Sequence, residues 1–232
     1  MKIWTLCLGI ILAMSTGLYV RPVKADLYWE TESVSSGIAH RSKGTSIQKY
    51  YFTPNASRVE LSGKKIYIVN YKSMILYSLD TKAKTCSTLN LAELFLDTSA
   101  GDSKKNADLM GTILGVQVTP TNELKTIAGY KCRKCMVRIA FLTGEYWVSD
   151  DVRGYQELRT LGAKVEAIAE RNPVIRQMDV AGMVDKLGGF PVYTVNHLMG
   201  GTVESTLKKV EQKSLDPALF VVPKEYTMKT MK

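Results

Sequence analysis

From residue 27 to residue 89, apolar and polar positions alternate in short runs broken by turn signals. Runs rich in β-branched and aromatic residues predict strands over 27–34, 45–52, 58–61, 66–69, 74–79 and 85–89. Pro54-Asn55, Ser62-Gly63-Lys64 and Asp80-Thr81-Lys82 stand between them as turns. A period of two at this spacing predicts consecutive antiparallel hairpins.

The period then lengthens. Asn90 is placed to cap a helix over 91–97, and a second helix is predicted over 103–114. Strands return over 116–120 and 123–127. One long strand is predicted over 130–142, turning through Thr143-Gly144-Glu145 into another over 146–149. From Val152 onward, Tyr155, Leu158, Leu161, Val165 and Ile168 recur every three or four residues, which lays one apolar stripe along a helix. Asp150 or Asp151 would cap it, and Asn172-Pro173 would end it. Ile175, Met178, Val184 and Leu187 predict a looser helix stopping at Gly188-Gly189. A closing hairpin over 191–198 and 202–213 turns at Gly200-Gly201, and residues 216–220 form a short helical turn. This order predicts an α+β fold, a strongly curved antiparallel sheet whose concave face is covered by helices.

The first 25 residues change the picture of where this sheet works. Lys2 precedes an almost unbroken apolar run over 3–20, and Val23-Lys24-Ala25 presents small residues at the −3 and −1 positions. The segment reads as a secretory signal cleaved after Ala25, leaving residues 26–232 as one soluble domain in the periplasm or outside the cell. An uncleaved anchor is the competing reading, because the run approaches the length of a spanning helix. Cleavage removes Lys2, Arg21 and Lys24 and lowers the net charge from +9 to +6. The remaining lysines and arginines alternate with apolar residues instead of forming a block, which disfavours nucleic acid as a partner and leaves weak attraction to an anionic membrane surface.

Gly129-Tyr130-Lys131-Cys132-Arg133-Lys134-Cys135 carries the one motif suggestive of chemistry. Thiol–disulfide catalysts hold such a pair at a helix N-terminus. Here the flanks favour strand, in which positions three apart point to opposite faces. Haem attachment needs a histidine where Met136 stands. A zinc site needs about four ligands, and only His40 and His197 could join the cysteines. No cofactor or metal is therefore expected. Of the three cysteines left after cleavage, Cys86 is expected to form a structural disulfide with one of the other two. The histidines lack a nucleophile partner, and Asp150-Asp151 reads more simply as a helix cap than as an acid–base pair. A surplus of methionine among the elements flanking the sheet fits either a ligand cavity or an ordinary packed core.

Several passages together resemble a known family. They are Tyr130-Lys131-Cys132, Glu145-Tyr146-Trp147-Val148-Ser149-Asp150-Asp151, Gly189-Phe190-Pro191-Val192, the strand–turn–strand passage from Tyr77 to Thr85, and the ending with Ser205-Thr206-Leu207 and Asp216-Pro217-Ala218-Leu219-Phe220. The chain resembles an uncharacterised family of bacterial exported proteins related in fold to the outer-membrane lipoprotein carriers (LolA/LolB-like). That resemblance implies a half-open β-barrel covered by helices, enclosing an apolar cavity. It also implies a non-enzymatic protein whose partner is an apolar ligand (a lipid or acyl chain) or a lipidated protein. The cavity wall is expected from Tyr67, Ile75, Tyr77, Leu94, Phe95, Trp147 and Met178. Related sequences often carry cysteine at the position of Cys132 and an aromatic residue at that of Cys135, which implies Cys86–Cys132 as the disulfide. Two alternatives remain: a thiol-active envelope protein using Cys132 and Cys135, and an interaction module with a filled core.

Overall fold

Pairing of the alternating runs builds one twelve-stranded sheet. The structure, a computed structural model, describes residues 26–37, 44–91, 116–139, 142–169, 182–198 and 200–229. The first half contributes β1 (Asp26–Ser36), β2 (Gly44–Phe52), β3 (Ala56–Leu61), β4 (Lys65–Asn70), β5 (Ile75–Asp80) and β6 (Thr85–Asn90). The second contributes β7 (Val116–Ile127), β8 (Tyr130–Ile139), β9 (Leu142–Ser149), helices α1 (Tyr155–Ala169) and α2 (Met183–Leu187), then β10 (Phe190–Leu198) and β11 (Gly201–Lys213). A 3₁₀ turn (Pro217–Phe220) and the short β12 (Thr227–Lys229) close the described chain.

The strand order is β12-β6-β5-β4-β3-β2-β1-β11-β10-β9-β8-β7. Each half is a meander of hairpins, and the β1–β11 pair joins them, from Asp26 opposite Lys213 to Ser36 opposite Thr202. All neighbours run antiparallel except β12 and β6. Among the described residues the sheet is open, with β12 and β7 as its edges, and is not closed into a barrel. Its curvature shows in what it brings together: β2 and β9 are four places apart in the order, yet Tyr50 and Tyr146 line one pocket. Among the described residues the helical cover is limited to α1 and the five-residue α2, less than the helical lid expected from sequence.

The register defines two faces. Trp29, Tyr50, Val59, Tyr67 and Ser78 stand opposite one another in a row across β1 to β5, as do Thr31, Gln48, Leu61, Lys65 and Asp80. Both rows lie on the inner face, because positions two apart on a strand share a side. Tyr155, Leu158 and Leu161 of α1 join Leu27, Phe190, Val192 and Leu207 there in the main core cluster. The alternate row of Tyr28, Tyr51, Arg58, Ile68 and Tyr77 faces outward. Its far end is covered by the C-terminal tail, where Phe220, Val222 and Tyr226 pack on buried Ile68, Leu79 and Cys86. Asp216 caps the 3₁₀ turn by accepting from the Ala218 amide at 2.9 Å, and Arg58 Nη1 donates to Leu219 O at 2.8 Å. The turn is thus capped at its start and tied to β3 near its end.

Three local expectations are corrected. Thr143-Gly144-Glu145 is not a turn but part of β9, paired with His197, Asn196 and Val195 of β10. A side chain at Gly144 would bring its Cβ within 2.7 Å of Asn196 Oδ1, so this glycine serves close packing inside the sheet. The two strands predicted over 116–127 form one strand, bent by a bulge between Pro120 and Leu124. Helix α1 starts at Tyr155, later than expected, and Gly154 before it has φ +105. A Cβ there would lie 2.8 Å from Leu27 Cδ1 and 2.9 Å from Val210 Cγ1, so only glycine lets the helix entry press against β1 and β11. The signal segment and the helices predicted over 91–97 and 103–114 lie outside the described residues, save Leu91. So do Asn172-Pro173, Ile175 and Met178.

Candidate functional site

Where the sheet curves beneath α1, a cavity of about 300 Å³ opens on the inner face. That volume lies at the small end of the range of ligand pockets. Its apolar side comes from Trp29, Phe190, Val192, Leu158 and Leu207. The Trp29 indole stacks on Tyr50 with centroids 4.8 Å apart and planes 5° from parallel, and meets Phe190 edge-on at 5.6 Å and 85°. Three rings held in these preferred arrangements make a stiff aromatic wall.

The rest of the lining is more polar. Tyr50 donates to Gln48 Oε1 at 2.6 Å, and Tyr146 donates to Asn196 Oδ1 at 3.1 Å. Burial pushes the phenols of Tyr50 and Tyr146 above the ordinary tyrosine range, so both remain neutral donors. Ser205 shares a 2.7 Å hydrogen bond with Ser33, which is itself buried. Thr31 is the exception. It is 9% exposed, lines the cavity, and its Oγ1 has no hydrogen-bond partner among the described residues. The polar group that the Thr31 hydroxyl acts on is the Tyr50 phenol, whose pKa it lowers against the effect of burial, while the phenol donates its own proton to Gln48. A buried hydroxyl left unpaired costs about 1–3 kcal/mol. A ligand with a polar atom at this place would recover that cost.

Two further hollows flank this one. A polar groove of about 660 Å³ at the turn end of β2 to β5 includes Ser46, Lys64, Lys65, Tyr67 and Lys82, and shares Gln48 and Val203 with the aromatic cavity. A cleft of about 460 Å³ beside the β7–β8 edge is lined by Leu124, Lys125, Lys131, Cys132, Arg133 and Asp150.

The residues expected from sequence are only partly gathered. Tyr67 stands on the inner face and lines the polar groove. Ile75 and Tyr77 share the outer face with Ile68, and Tyr77 packs against the tail-covered cluster. Trp147 does not line the cavity but packs against the main core cluster, with the Lys125 and Lys134 ammonium groups each 5.9 Å from its ring. Leu94, Phe95 and Met178 lie outside the described residues. Trp29, Thr31, Tyr50, Tyr146 and Phe190 were absent from the expected wall. Period two in β1 puts Trp29 and Thr31 on one face, but Tyr28 makes the other face equally aromatic, so alternation did not say which was inner.

The three cysteines among the described residues, Cys86, Cys132 and Cys135, are free and buried, and the expected Cys86–Cys132 disulfide is not formed. The strands carrying them, β6 and β8, hold the second and eleventh places in the sheet order, and Cys86 lies within the tail-covered cluster. Cys135 stands opposite Tyr146, while Cys132 stands opposite Lys125 on the other face of β8. Cys132 Sγ donates to Tyr130 O at 3.5 Å and Cys135 Sγ to Leu187 O at 3.9 Å. Burial pushes all three thiols up, away from the thiolate that thiol chemistry needs. His197 is exposed, and His40 lies outside the described residues. Asp151 donates its amide to Ser149 Oγ at 3.3 Å, ahead of the helix that either aspartate was expected to cap. Among the described residues no three of His, Cys, Asp and Glu cluster as metal ligands would, and no helix is long and apolar enough to cross a membrane.

Residues 37–226 match a family defined as a domain of unknown function, DUF4412, and the chain belongs to that family. None of the curated proteins matches it. Among solved structures, an uncharacterized conserved protein from Thermus thermophilus is similar over 90% of this chain and 92% of its own, with 8% identity and a TM-score of 0.50, a likeness of fold alone. A LolA superfamily protein from Nitrosomonas europaea aligns over 86% of this chain and 91% of its own at 6% identity, with a TM-score of 0.34. PNGF-II aligns over 89% of this chain at 14% identity and a TM-score of 0.42, and this chain spans 31% of its length.

Proposed function

We propose that this member of the DUF4412 family is a non-enzymatic envelope protein that binds an apolar or amphiphilic ligand, a lipid or the acyl chain of a lipidated partner, in the inner-face cavity. The observation that carries this reading is the aromatic wall of Trp29, Tyr50 and Phe190 with the unpartnered hydroxyl of Thr31 beside it in one cavity. An apolar chain against that wall would gain about 25 cal/mol per Å² buried, so about 200 Å² of contact contributes about 5 kcal/mol before ordering costs. Buried neutral thiols on opposite faces of β8 argue against thiol catalysis, and an unfilled aromatic cavity argues against a purely structural module.

Export fits the same reading. Cleavage near Ala25 would release residues 26–232 into the periplasm or the medium, where an anionic membrane surface would attract the basic chain weakly.

The test is extraction of the purified protein followed by mass spectrometry of the organic phase, with titration of dodecanol monitored by tryptophan fluorescence. Co-purified lipid, or saturable quenching that is lost in Trp29→Ala, supports the reading. No extracted lipid together with no saturable fluorescence change overturns it.

A further inference from the structure

The polar groove deepens that reading, because its geometry says what kind of head group the ligand carries. Groove and aromatic cavity share Gln48 and Val203 among their lining residues, so the two hollows adjoin on the inner face. The register gives the path. Thr31, Gln48, Leu61 and Lys65 stand opposite one another on successive strands of the inner face. Three strand steps of about 4.8 Å put Lys65 roughly 14 Å from the unpartnered hydroxyl.

At the far end the charge is positive. Lys64, Lys65 and Lys82 line the groove with Asp80 as its acidic member. Asp80 Oδ2 is paired with Lys65 at 3.0 Å, and its Oδ1 accepts from the amides of Lys82 and Ala83. Lys64 and Lys82 have no ion-pair partner among the described residues and are exposed. Their backbones are nevertheless tied together. The turns that carry them are clasped together by Thr81, whose hydroxyl donates to Gly63 O at 2.7 Å and whose amide donates to Lys64 O at 3.1 Å. The chain thus presents two uncompensated cations on one backbone clasp, in a groove that adjoins an aromatic cavity.

We infer that the ligand is an anionic amphiphile, with its apolar chain along Trp29 and Phe190 and a phosphate or carboxylate head between Lys64 and Lys82. This rests on the ligand reading above. Paired cations favour an anion in the groove more strongly than a neutral head, and salt weakens the preference because the lysines are exposed.

The experiment compares dodecyl phosphate, dodecanoate and dodecanol, each below its micelle concentration, with inorganic phosphate as the headgroup alone. Binding is measured by calorimetry at low ionic strength to the intact mature protein and to the Lys64→Gln/Lys82→Gln variant, which leaves the Lys65–Asp80 pair in place. Dodecyl phosphate is expected to bind about tenfold tighter than dodecanol, a difference of about 1.4 kcal/mol. In the variant that gap should shrink to about twofold while dodecanol affinity is unchanged. If dodecanol binds and dodecyl phosphate binds no tighter, the head-group inference is overturned and the cavity reading stands. If neither alkyl probe binds, both are overturned. If inorganic phosphate displaces dodecyl phosphate at equal concentration, the site belongs to the free anion and the amphiphile is excluded.

Discussion

Trp29 and Phe190 meet edge to face at 5.6 Å across β11, the strand that separates β1 from β10. The contact joins the first strand of the described chain to the strand that follows α2, and it forms the apolar wall of the inner cavity. Fold stability and ligand contact therefore rest on the same rings.

Phe190→Ala is expected to destabilise the protein by about 3–5 kcal/mol, since this side chain is 1% exposed in the main cluster. Urea denaturation would measure the shift. A loss below about 1 kcal/mol would mean that the cluster is not packed as described.

Thr31→Val separates stability from binding. Removing a buried hydroxyl that has no partner should leave the unliganded protein as stable, or up to about 1 kcal/mol more stable. Affinity for hexanol, short enough to seat its hydroxyl inside the aromatic cavity, should fall, because the ligand hydroxyl loses its partner. A clear loss of unliganded stability with affinity intact would show that Thr31 is satisfied within the protein.

Gly154→Ala and Gly200→Ala test two different constraints. Both glycines have positive φ, so each substitution carries backbone strain of about 1 kcal/mol. A Cβ at Gly200 meets nothing within 4 Å, whereas one at Gly154 strikes Leu27 and Val210. Gly154→Ala should therefore cost about 2 kcal/mol more than Gly200→Ala in thermal denaturation. Equal costs would remove the packing argument.

The cysteines should titrate as three buried free thiols. Alkylation of the native mature protein near neutral pH is expected to be slow at all three and complete after unfolding, with no effect of reductant on the melting temperature. Rapid alkylation of Cys132 or Cys135 in the folded protein would revive the thiol-active reading. The pH dependence has the same origin. Burial raises these thiols and lifts Tyr71 to about 12, so the folded chain holds protons that the unfolded chain has released. Stability from these groups is complete below about pH 8.5, the unfolded thiol value, and is lost as pH rises through the raised values. Denaturant midpoints that increase between pH 9 and about 12 would contradict this sign.

Much of the sheet was legible. The alternation over 27–89 specified β1 to β6, the Gly200-Gly201 signal specified the β10–β11 hairpin, and the apolar stripe from Tyr155 specified α1. The misreadings came from residues whose role is set at a distance. Gly144 looks like a turn glycine, but it is needed because Asn196 of the neighbouring strand lies too close for a side chain. Cys86 and Cys132 both read as strand cysteines, but they are buried in different clusters, one under the C-terminal tail and one beneath α1.

The sequence by itself determined two faces on every strand, since a period of two separates Trp29 and Thr31 from Tyr28 and Glu30 whatever the fold. It could not say which face was inner, because both carry aromatic residues. Tertiary structure decided that through the β1–β11 pairing, which joins two meanders into one curved sheet, and through α1, which packs over the Trp29 side. The same curvature brings Tyr50 and Tyr146 to one cavity and leaves Tyr77 and Trp147 outside it.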